Sequence, residues 1–438
     1  MQAFFAEHPG DVFGLGEMMN LPGVFMADPE TCARIDAANQ TPSKQVDGHA
    51  PLVAGKDLNA YAAAGIIADH ESTIPEEALD KLSRGMYVML REGTCSHDLA
   101  NLSPMLLENP ARARRCCFAT DDRAPSDALS TGMIDNACRV AIEAGVDPVV
   151  AISMASLSTA EAFGLDHGCR DPHELRGAIA PGKRADLLLL DDLTFAKAPH
   201  RVYAAGALVA QDGTFVGEVA PETADVASLA DELRASVKLP KLSLDVFDYA
   251  FKPGEAVIDV IPGMARPESA EDLRRIMLIE RHGRGVSLQA EGADGDGPAG
   301  LGLVGKHIGR GWVRGFTITG GAIASTIGHD SHNVCVVGDN AADMMTAVEA
   351  VGQGGHVLVR NGEVVARIPL ALGGLMSEGT AEDVAAQHDD FMVKARAMGI
   401  EPPLDPIMGI IFLPLPVIPT LRIRPEGMFD VTTFTYAD

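Results

Sequence analysis

The run Gly65-Ile66-Ile67-Ala68-Asp69-His70 is a short apolar stretch that ends on a side chain able to bind a metal ion. Neighbouring parts of the chain contain four more such runs, which recur roughly every 20 to 30 residues, as in strand–helix units. They extend from Val12 to Glu17, from Gln45 to His49, from Tyr87 to Glu92 and from Cys117 to Asp121. Short apolar runs separated by helix-like segments are typical of buried parallel strands. The pattern predicts an α/β fold.

The residues at the ends of these runs predict a metal site. In a parallel barrel the carboxyl ends of the strands share one face, so residues that are distant in sequence meet there. The five ends are Glu17, His49, His70, Glu92 and Asp121. Two histidines with two or three carboxylates can bind a divalent ion such as manganese, iron or zinc. A single Asp at such an end is more often a helix cap, and a single His a satisfied polar residue, but capping does not require ligand types at successive strand ends.

Composition excludes some partners and suggests a compartment. The 438 residues include 61 acidic and 35 basic side chains, and the formal charge of -26 would repel a phosphate backbone, so nucleic acid is not an expected partner. The seven cysteines are scattered and odd in number, which favours a reducing, cytoplasmic location. The N-terminus lacks the features of a signal peptide, and no apolar run reaches the roughly 20 residues of a membrane helix. The longest candidate, from Ile407 to Ile418, contains Pro414 and Pro416 and is expected to be buried and extended.

The order of predicted elements suggests four parts. Residues 1–175 alternate strands with helix-like segments and are expected to form part of a TIM-type barrel. Residues 176–222 are expected to form a small β unit, with strands at Leu187–Leu190 and Val202–Gln211, and residues 223–240 a helical connector. Residues 241–438 are expected to form a C-terminal α/β or α+β domain. The helix-like segments of the first part are 58–64, 75–84, 104–115, 127–144 and 150–163.

Two features of the C-terminal part are informative. Asn361-Gly362 lies between apolar runs and predicts a tight β-hairpin turn. The densest polar cluster of this part is His329-Asp330-Ser331-His332-Asn333. It is consistent with a hydrogen-bonded turn, and equally with a contribution to substrate or metal binding at a domain interface.

Several of these runs resemble a known family. The runs that resemble the amidohydrolase superfamily, and within it the adenine deaminases, are Gly14–Glu17, Asp47–Pro51, Ala68–Glu71, Arg91–Thr94 and Thr120–Arg123. The run Gly177–Gly182 with Ala185–Leu187 resembles the superfamily's return from barrel to β domain. The runs Gly321–Ser325 and His329–Asn333 resemble the C-terminal domain of adenine deaminases.

The resemblance implies roles for individual residues. Glu17 corresponds to a metal-bridging carboxylate with a catalytic role, His49 and His70 to metal ligands, and Asp121 to a ligand that also transfers protons. Glu92, Asp122, His329, Asp330 and His332 are candidates for substrate binding. The family's His-x-His pair has no counterpart in this sequence. By the resemblance, that pair, the first three barrel strands and half of the β domain are expected before Met1.

The implied activity is hydrolytic deamination of adenine to hypoxanthine and ammonia, a step of purine salvage, with a divalent metal as cofactor and manganese or iron foremost. Water activated by the metal would attack the ring carbon that carries the amine. A purine is the expected small-molecule partner, no membrane is expected to be bound, and homo-oligomer formation is left open. Two alternatives remain: another amidohydrolase reaction, such as hydrolysis of a cyclic amide, or a truncated, non-catalytic scaffold. Metal content would separate the scaffold from the enzymes.

Overall fold

A computed structural model describes residues 1–8, 12, 14–41, 45–167, 174–219, 224–260, 273–283 and 307–437. The chain divides into two compact units, Met1–Ala220 and Pro221–Asp438. The first unit contains parallel strands and a small antiparallel sheet, and the second contains a mainly antiparallel sheet with helices. The α/β character of the first unit is as predicted. The division into four parts remains a prediction.

The parallel strands of the first unit follow one another in sequence order. Strands β1 and β2 pair in parallel, as do β3 with β4 and β4 with β5. A backbone hydrogen bond of 3.0 Å, donated by Ile67 N to Val46 O, links β2 to the residue before β3. The strands are β1 (Gly14–Met18), β2 (Gln45–Gly48), β3 (Ala68–Asp69), β4 (Tyr87–Arg91) and β5 (Cys116–Ala119). Their carboxyl ends therefore lie at the same edge of the parallel array.

Helices connect and cover these strands. The α-helices are α1 (Gln2–Glu7), α2 (Leu21–Phe25), α3 (Pro29–Asn39), α4 (Gly55–Ala63), α5 (Pro75–Ser83), α6 (Leu99–Glu108), α7 (Pro125–Thr131), α8 (Ile134–Glu143), α9 (Pro148–Ser153) and α10 (Thr159–Ala162). A 3₁₀-helix at Pro110–Arg115 follows α6, and a π-helical segment at Met154–Ser158 joins α9 to α10. Buried side chains of α6, α8 and α9 pack with Val88 and Leu90 of β4 and Phe118 of β5.

Local sequence explains where two predicted helices are divided. The segment predicted as one helix from 127 to 144 is interrupted at Gly132, whose φ of 96° is readily adopted by glycine. The segment predicted from 104 to 115 begins earlier, at Leu99, and its α-helix ends before Asn109. Asn109 is extended, with φ -146° and ψ 95°, as the residue before a proline prefers.

The small antiparallel sheet corrects one strand prediction. Its strands are β6 (Leu187–Leu189), β7 (Arg201–Ala204), β8 (Ala207–Gln211) and β9 (Thr214–Phe215), paired in that order. Residues 202–211, predicted as one strand, belong to a hairpin formed by β7 and β8. Its turn residues Ala205 and Gly206 have φ angles of 48° and 83°. Because the usual Asn-Gly or Asp-Gly pair is missing, the sequence signal for this turn is weak.

The second unit contains, among its described residues, a seven-stranded sheet in the order β10-β12-β11-β14-β13-β15-β16. All neighbours are antiparallel except β10 and β12. The strands are β10 (Val257–Asp259), β11 (Leu273–Ile279), β12 (Ile308–Arg314), β13 (Gly321–Ser325), β14 (Val334–Gly338), β15 (Gly355–Arg360) and β16 (Glu363–Pro369). The C-terminal domain was predicted to be α/β or α+β, and the mainly antiparallel sheet favours α+β.

Alternation along the central strands gives this sheet two buried faces. On β11, Ile276 and Leu278 pack in one core, whereas Met277 and Ile279 pack in the other. The first core includes residues of α14 and α15, and the second includes residues of α12 and α13. The helices of this unit are α11 (Ala224–Arg234), α12 (Leu244–Phe247), α13 (Ala341–Ala350), α14 (Ala381–Ala397) and α15 (Pro406–Ile411). The sheet is thus covered by helices on both faces.

A short antiparallel sheet and one hairpin complete the second unit. Strands β17 (Leu421–Arg424), β18 (Gly427–Asp430) and β19 (Thr435–Tyr436) pair in sequence order. The hairpin predicted at Asn361-Gly362 is confirmed: these residues join β15 to β16 with φ angles of 52° and 80°. Positive φ at both central residues is the requirement of a type I′ turn.

The prediction of an extended segment from Ile407 to Ile418 is wrong: its first residues belong to helix α15, and the residues that follow form turns. Asp405 caps this helix by accepting hydrogen bonds of 2.8 Å from the backbone N of Ile407 and of Met408. Proline at the first helical position adds to this start signal, and Pro414 lies beyond the end of the helix. In the part of the chain that the structure describes, no helix combines the length and the apolar character needed to cross a bilayer.

Candidate metal centre

Strand ends bring the predicted ligand residues together. Glu17 lies near the end of β1, and His49 and His70 directly follow β2 and β3. Asp121 lies two residues beyond β5 and adopts a positive φ of 54°, a conformation that Asp tolerates better than most residues. Gly48 is needed before His49, because a Cβ there would lie 2.2 Å from Ala68 O on the neighbouring strand.

Two histidines and one carboxylate form the first cluster. The Glu17 Oε2 atom lies 3.4 Å from His49 Nδ1 and 3.6 Å from His70 Nε2. The two imidazole rings meet edge to face, with centroids 5.5 Å apart. Ligand atoms of the three residues lie within 4.8 Å of one another. The His49 Nδ1 atom is buried and has no hydrogen-bond partner. Its contact with Glu17 is therefore one of charge and proximity rather than a formed hydrogen bond.

A second set of donors overlaps the first at His70. Ligand atoms of His70, Glu71 and Asp121 also lie within 4.8 Å of one another. The Glu71 Oε1 atom lies 3.3 Å from His70 Nε2 and 3.5 Å from His49 Nδ1. The run Ala68–Glu71 includes Glu71, but the resemblance of this run implies no role for it. Its position next to His70 was the signal that could have identified it.

Arg91, the last residue of β4, is a positive charge among these carboxylates. Its Nη1 donates to Glu71 Oε1 at 2.5 Å and to Asp121 Oδ2 at 3.0 Å. Its Nε donates to Asp98 Oδ2 at 2.9 Å. The side chain of Arg91 is only 9% exposed, so these ion pairs are poorly screened by solvent. Arg91 therefore fixes two of the candidate donors in place, a role that the sequence did not suggest.

The charges in the site shift the acid–base properties of its members. The neighbouring His49 imidazole lowers the pKa of Glu17, against the opposing effect of burial. Burial lowers the pKa of His49, but the adjacent Glu17 and Glu71 carboxylates outweigh it and raise the pKa overall. For Glu71 burial dominates and raises the pKa, although Arg91 opposes the shift. The site thus couples imidazoles and carboxylates closely, as sites for chemistry commonly do.

Tyr61 of α4 connects two of the strand ends. Its hydroxyl donates to Met18 O at 2.7 Å and accepts from His49 N at 2.8 Å. Burial raises the pKa of this phenol well above its ordinary value. Because the side chain is fully buried, Tyr61 ties the end of β1 to the backbone of His49.

Two of the predicted substrate-binding residues lie near these loops but outside both donor sets. Glu92 directly follows β4, and its Oε1 lies 2.7 Å from His97 Nδ1. The Asp122 backbone N donates to Asp121 Oδ1 at 2.9 Å, and its carbonyl accepts from Thr94 N at 2.9 Å. Asp122 thus contributes at least backbone contacts to the loop that carries Asp121.

The remaining predicted residues, His329, Asp330 and His332, lie in the second unit on the loop between β13 and β14. The His329 imidazole lies next to the Asp330 carboxylate and stacks on Phe412, with ring centroids 5.7 Å apart. The His332 carbonyl accepts from Arg281 Nε, and burial together with Arg281 lowers the pKa of His332. The described residues of this loop do not supply a three-residue metal cluster. The loop has the hydrogen bonds expected of a turn, and its role in substrate binding remains a prediction.

Comparison with family models and with known relatives identifies the class of protein. The model of the amidohydrolase family matches residues 13–232, half of the chain, and that of the adenine deaminase C-terminal domain matches residues 304–435. The adenine deaminase of Nitratidesulfovibrio vulgaris strain Hildenborough is 42% identical over 435 residues, covering 97% of this chain and 71% of the relative. That of Desulfatibacillum aliphaticivorans is 40% identical over 453 residues, covering 99% of this chain and 72% of the relative. The chain belongs to the adenine deaminase family of amidohydrolases, which confirms the resemblance of its motifs.

Solved structures give weaker likenesses. The N-acetyl-D-glucosamine-6-phosphate deacetylase of Mycobacterium smegmatis aligns with a TM-score of 0.34 and 18% identity, over 47% of this chain and 57% of that protein. An enamidase of the amidohydrolase superfamily aligns with a TM-score of 0.32 and 18% identity, over 43% and 53%. The chain thus spans little more than half of these proteins, and such low scores identify neither fold nor function.

Proposed function

We propose that this protein catalyses the metal-dependent hydrolytic deamination of adenine to hypoxanthine and ammonia. Its membership of the adenine deaminase family supports the reaction. The observation that carries the proposal at the site is the convergence of Glu17, His49, His70 and Asp121 at neighbouring strand ends. These residue types are the nitrogen and oxygen donors of metal-dependent hydrolases.

The first cluster fits a divalent ion in two respects. Ligand bonds of 2.0–2.2 Å place two donors on one ion about 3.0–3.5 Å apart. The carboxylate oxygen of Glu17 lies 3.4 and 3.6 Å from the two imidazole nitrogens. In addition, the buried His49 Nδ1 lacks a hydrogen bond and faces two carboxylates. We assign Glu17, His49, His70 and Asp121 as the residues that would hold the ion, and manganese or iron ahead of zinc as its identity.

Asp121, Arg91 and Glu17 are proposed to have separate roles in the reaction. The chemistry that a divalent ion would supply here, when bound, is a water molecule whose pKa is lowered towards about 7. Asp121 would accept a proton from the attacking water and return one to the departing amine. Arg91 holds the Asp121 Oδ2 atom at 3.0 Å and so orients the carboxylate for this transfer. Glu17 contributes negative charge next to both imidazoles, with its carboxylate 42% exposed and open to solvent.

The finer assignments belong to the same proposal. The parallel strands β1 to β5 are inferred to be part of a TIM-type barrel, because they follow one another in sequence order with helical connections. Glu92, Asp122, His329, Asp330 and His332 are proposed to contribute to substrate binding. A cytoplasmic location is supported by Cys116 and Cys117, adjacent buried free thiols of the kind found in reducing compartments. The role in purine salvage follows from the proposed reaction.

Replacement of Asp121 by Asn tests the proposed mechanism. The purified variant is expected to release ammonia from adenine about 10²–10⁴-fold more slowly than the parent, because the amide cannot transfer the proton. Asp135→Asn is the matched control, since Asp135 lies in α8 and accepts a hydrogen bond from Met133 N. Equal turnover by the parent and Asp121→Asn would refute the role of Asp121. A panel of purines and cyclic amides separates adenine deamination from the alternative amidohydrolase reaction.

A further inference from the structure

Lys81 on α5 is a fully buried cation close to the candidate centre but outside it. Its side chain is 0% exposed. The ammonium group donates to Asp69 Oδ2 at 2.6 Å, to Glu77 Oε1 at 2.9 Å and to Ser72 Oγ at 3.0 Å. Three acceptors satisfy the three hydrogens of an ammonium group. The group is therefore fully coordinated by the protein, with every acceptor identified.

The Asp69 carboxylate connects Lys81 to both histidine-bearing loops. Its Oδ1 accepts from Ala50 N at 2.7 Å, the residue directly after His49. Its Oδ2 accepts from Glu71 N at 3.0 Å, the residue directly after His70. One buried carboxylate therefore fixes the backbone amide of the residue that directly follows each candidate imidazole ligand.

The Glu77 carboxylate adds a second tie between the same loops. Its Oε1 accepts from Leu52 N at 2.8 Å and its Oε2 accepts from Thr73 N at 3.3 Å. Through Asp69 and Glu77, the single ammonium of Lys81 thus joins the loop that follows β2, the loop that follows β3 and helix α5.

Fold stability alone is a weak reason for such a cluster. Burying charges costs solvation energy, and well-packed apolar side chains in their place are often neutral or stabilising. A cluster of charges is better suited than an apolar core to fixing backbone amides in one orientation, because each bond is directional. Partners of this kind behind metal ligands tune the affinity of a site for its ion.

We propose that Lys81 is a positioning residue of the metal centre, which locks Asp69 and Glu77 so that the loops carrying His49 and His70 present their imidazoles to one ion. The inference rests on the proposed function, since it requires that the centre bind a metal. The Lys81 ammonium donates to Asp69, Ser72 and Glu77 rather than to either imidazole, and it acts on the centre through the two carboxylates.

The test measures Mn²⁺ affinity of the chelator-stripped chain by competition with a fluorescent chelator. Lys81→Met is expected to weaken binding by about 10–100-fold, as is typical when a residue that supports metal ligands is removed. Ala78→Gly is the control, because Ala78 is buried on the same helix and its apolar side chain is outside the ion network. This control is expected to lower the unfolding temperature while changing Mn²⁺ affinity by less than about two-fold.

A milder variant is included because Lys81→Met leaves buried carboxylates uncompensated and the protein could fail to fold. Glu77→Gln keeps an oxygen acceptor but removes one charge, and it is expected to weaken Mn²⁺ binding by about 3–10-fold, less than a full loss of support. If the parent binds Mn²⁺ and folded variants of Lys81 and Glu77 bind it equally well, the positioning role is overturned and the proposed function stands. If the parent binds no Mn²⁺, the proposed function itself fails, and this inference with it.

Discussion

Replacing Arg91 by Met removes the positive charge that holds the carboxylates of the site. The guanidinium donates to Glu71 at 2.5 Å, to Asp98 at 2.9 Å and to Asp121 at 3.0 Å, and it is 9% exposed. Met retains much of the aliphatic length, so the main change is electrostatic. After the substitution, three partly buried acids face one another without the cation that pairs them.

The expected size of this effect follows from the distances. At 3 Å and an effective dielectric constant near 20, one ion pair is worth about 5 kcal/mol. The cost of burying the guanidinium offsets part of the attraction summed over its ion pairs. Breaking a buried pair typically lowers the free energy of unfolding by about 3–5 kcal/mol. Urea unfolding of the parent and of Arg91→Met measures this loss in the transition of the first unit.

A matched arginine separates buried from exposed charge. Arg112 pairs with Glu108 at 2.6 Å, four residues earlier in the sequence, and the two side chains are 25% and 71% exposed. Arg112 Nη1 also donates to Met105 O at 2.8 Å, so Arg112→Met is expected to cost about 1–2 kcal/mol, less than the loss of the buried pairs of Arg91. Mn²⁺ is expected to stabilise Arg91→Met more than it stabilises the parent, since an ion that binds the folded state supplies the missing positive charge. A loss no larger than that of Arg112→Met, or no greater gain from Mn²⁺, would refute this electrostatic account.

Two further outcomes are expected. Tyr61→Phe should lower the free energy of unfolding by about 1–3 kcal/mol, because Met18 O and His49 N lose their buried partner; urea unfolding that matched the parent would contradict this. Burial lowers the pKa of His356 from its ordinary value of 6.5 to about 4. The neutral, buried imidazole therefore contributes its full stability above pH 6.5, and this stability is lost as the pH falls from 6.5 towards 4. Between pH 7 and pH 5 the parent should lose about 2 kcal/mol more than His356→Phe does in urea unfolding, and equal losses would show that His356 does not titrate in this way.

Part of the site could be predicted because its signals are local. His49, His70 and Asp121 each follow a short apolar strand directly or within two residues, and parallel strands place such positions at one edge. The Asn361-Gly362 hairpin was predictable for a similar reason, since two residues with positive φ determine the turn.

Other features depend on tertiary contacts that have no local signature. Arg91 is the last residue of a strand, and nothing in its neighbourhood in sequence indicates that Glu71, Asp98 and Asp121 surround it. Lys81 lies four residues after Glu77, a spacing that usually marks an exposed helical ion pair. Only the packing of α5 against the loops after β2 and β3 shows that the pair is buried.

Helix α15 shows a different kind of error. Pro414 and Pro416 favour an extended segment, whereas Asp405 followed by Pro406 is a helix start signal, and the start signal decides the structure. Proline removes a helical hydrogen bond and clashes with the preceding turn when it lies inside a helix, but both of these residues lie beyond Ile411, where the helix has already ended.

The central claim is that imidazoles and carboxylates at neighbouring strand ends bind a divalent ion that is required for adenine deamination. Its most direct test is ammonia and hypoxanthine release by the purified chain, measured after chelator treatment and again during stepwise addition of Mn²⁺, with bound metal quantified in the same samples. The account predicts that activity rises in proportion to bound metal and that His49→Ala and His70→Ala lose both. Full metal binding without release of ammonia from adenine, or release that is independent of metal, would contradict it.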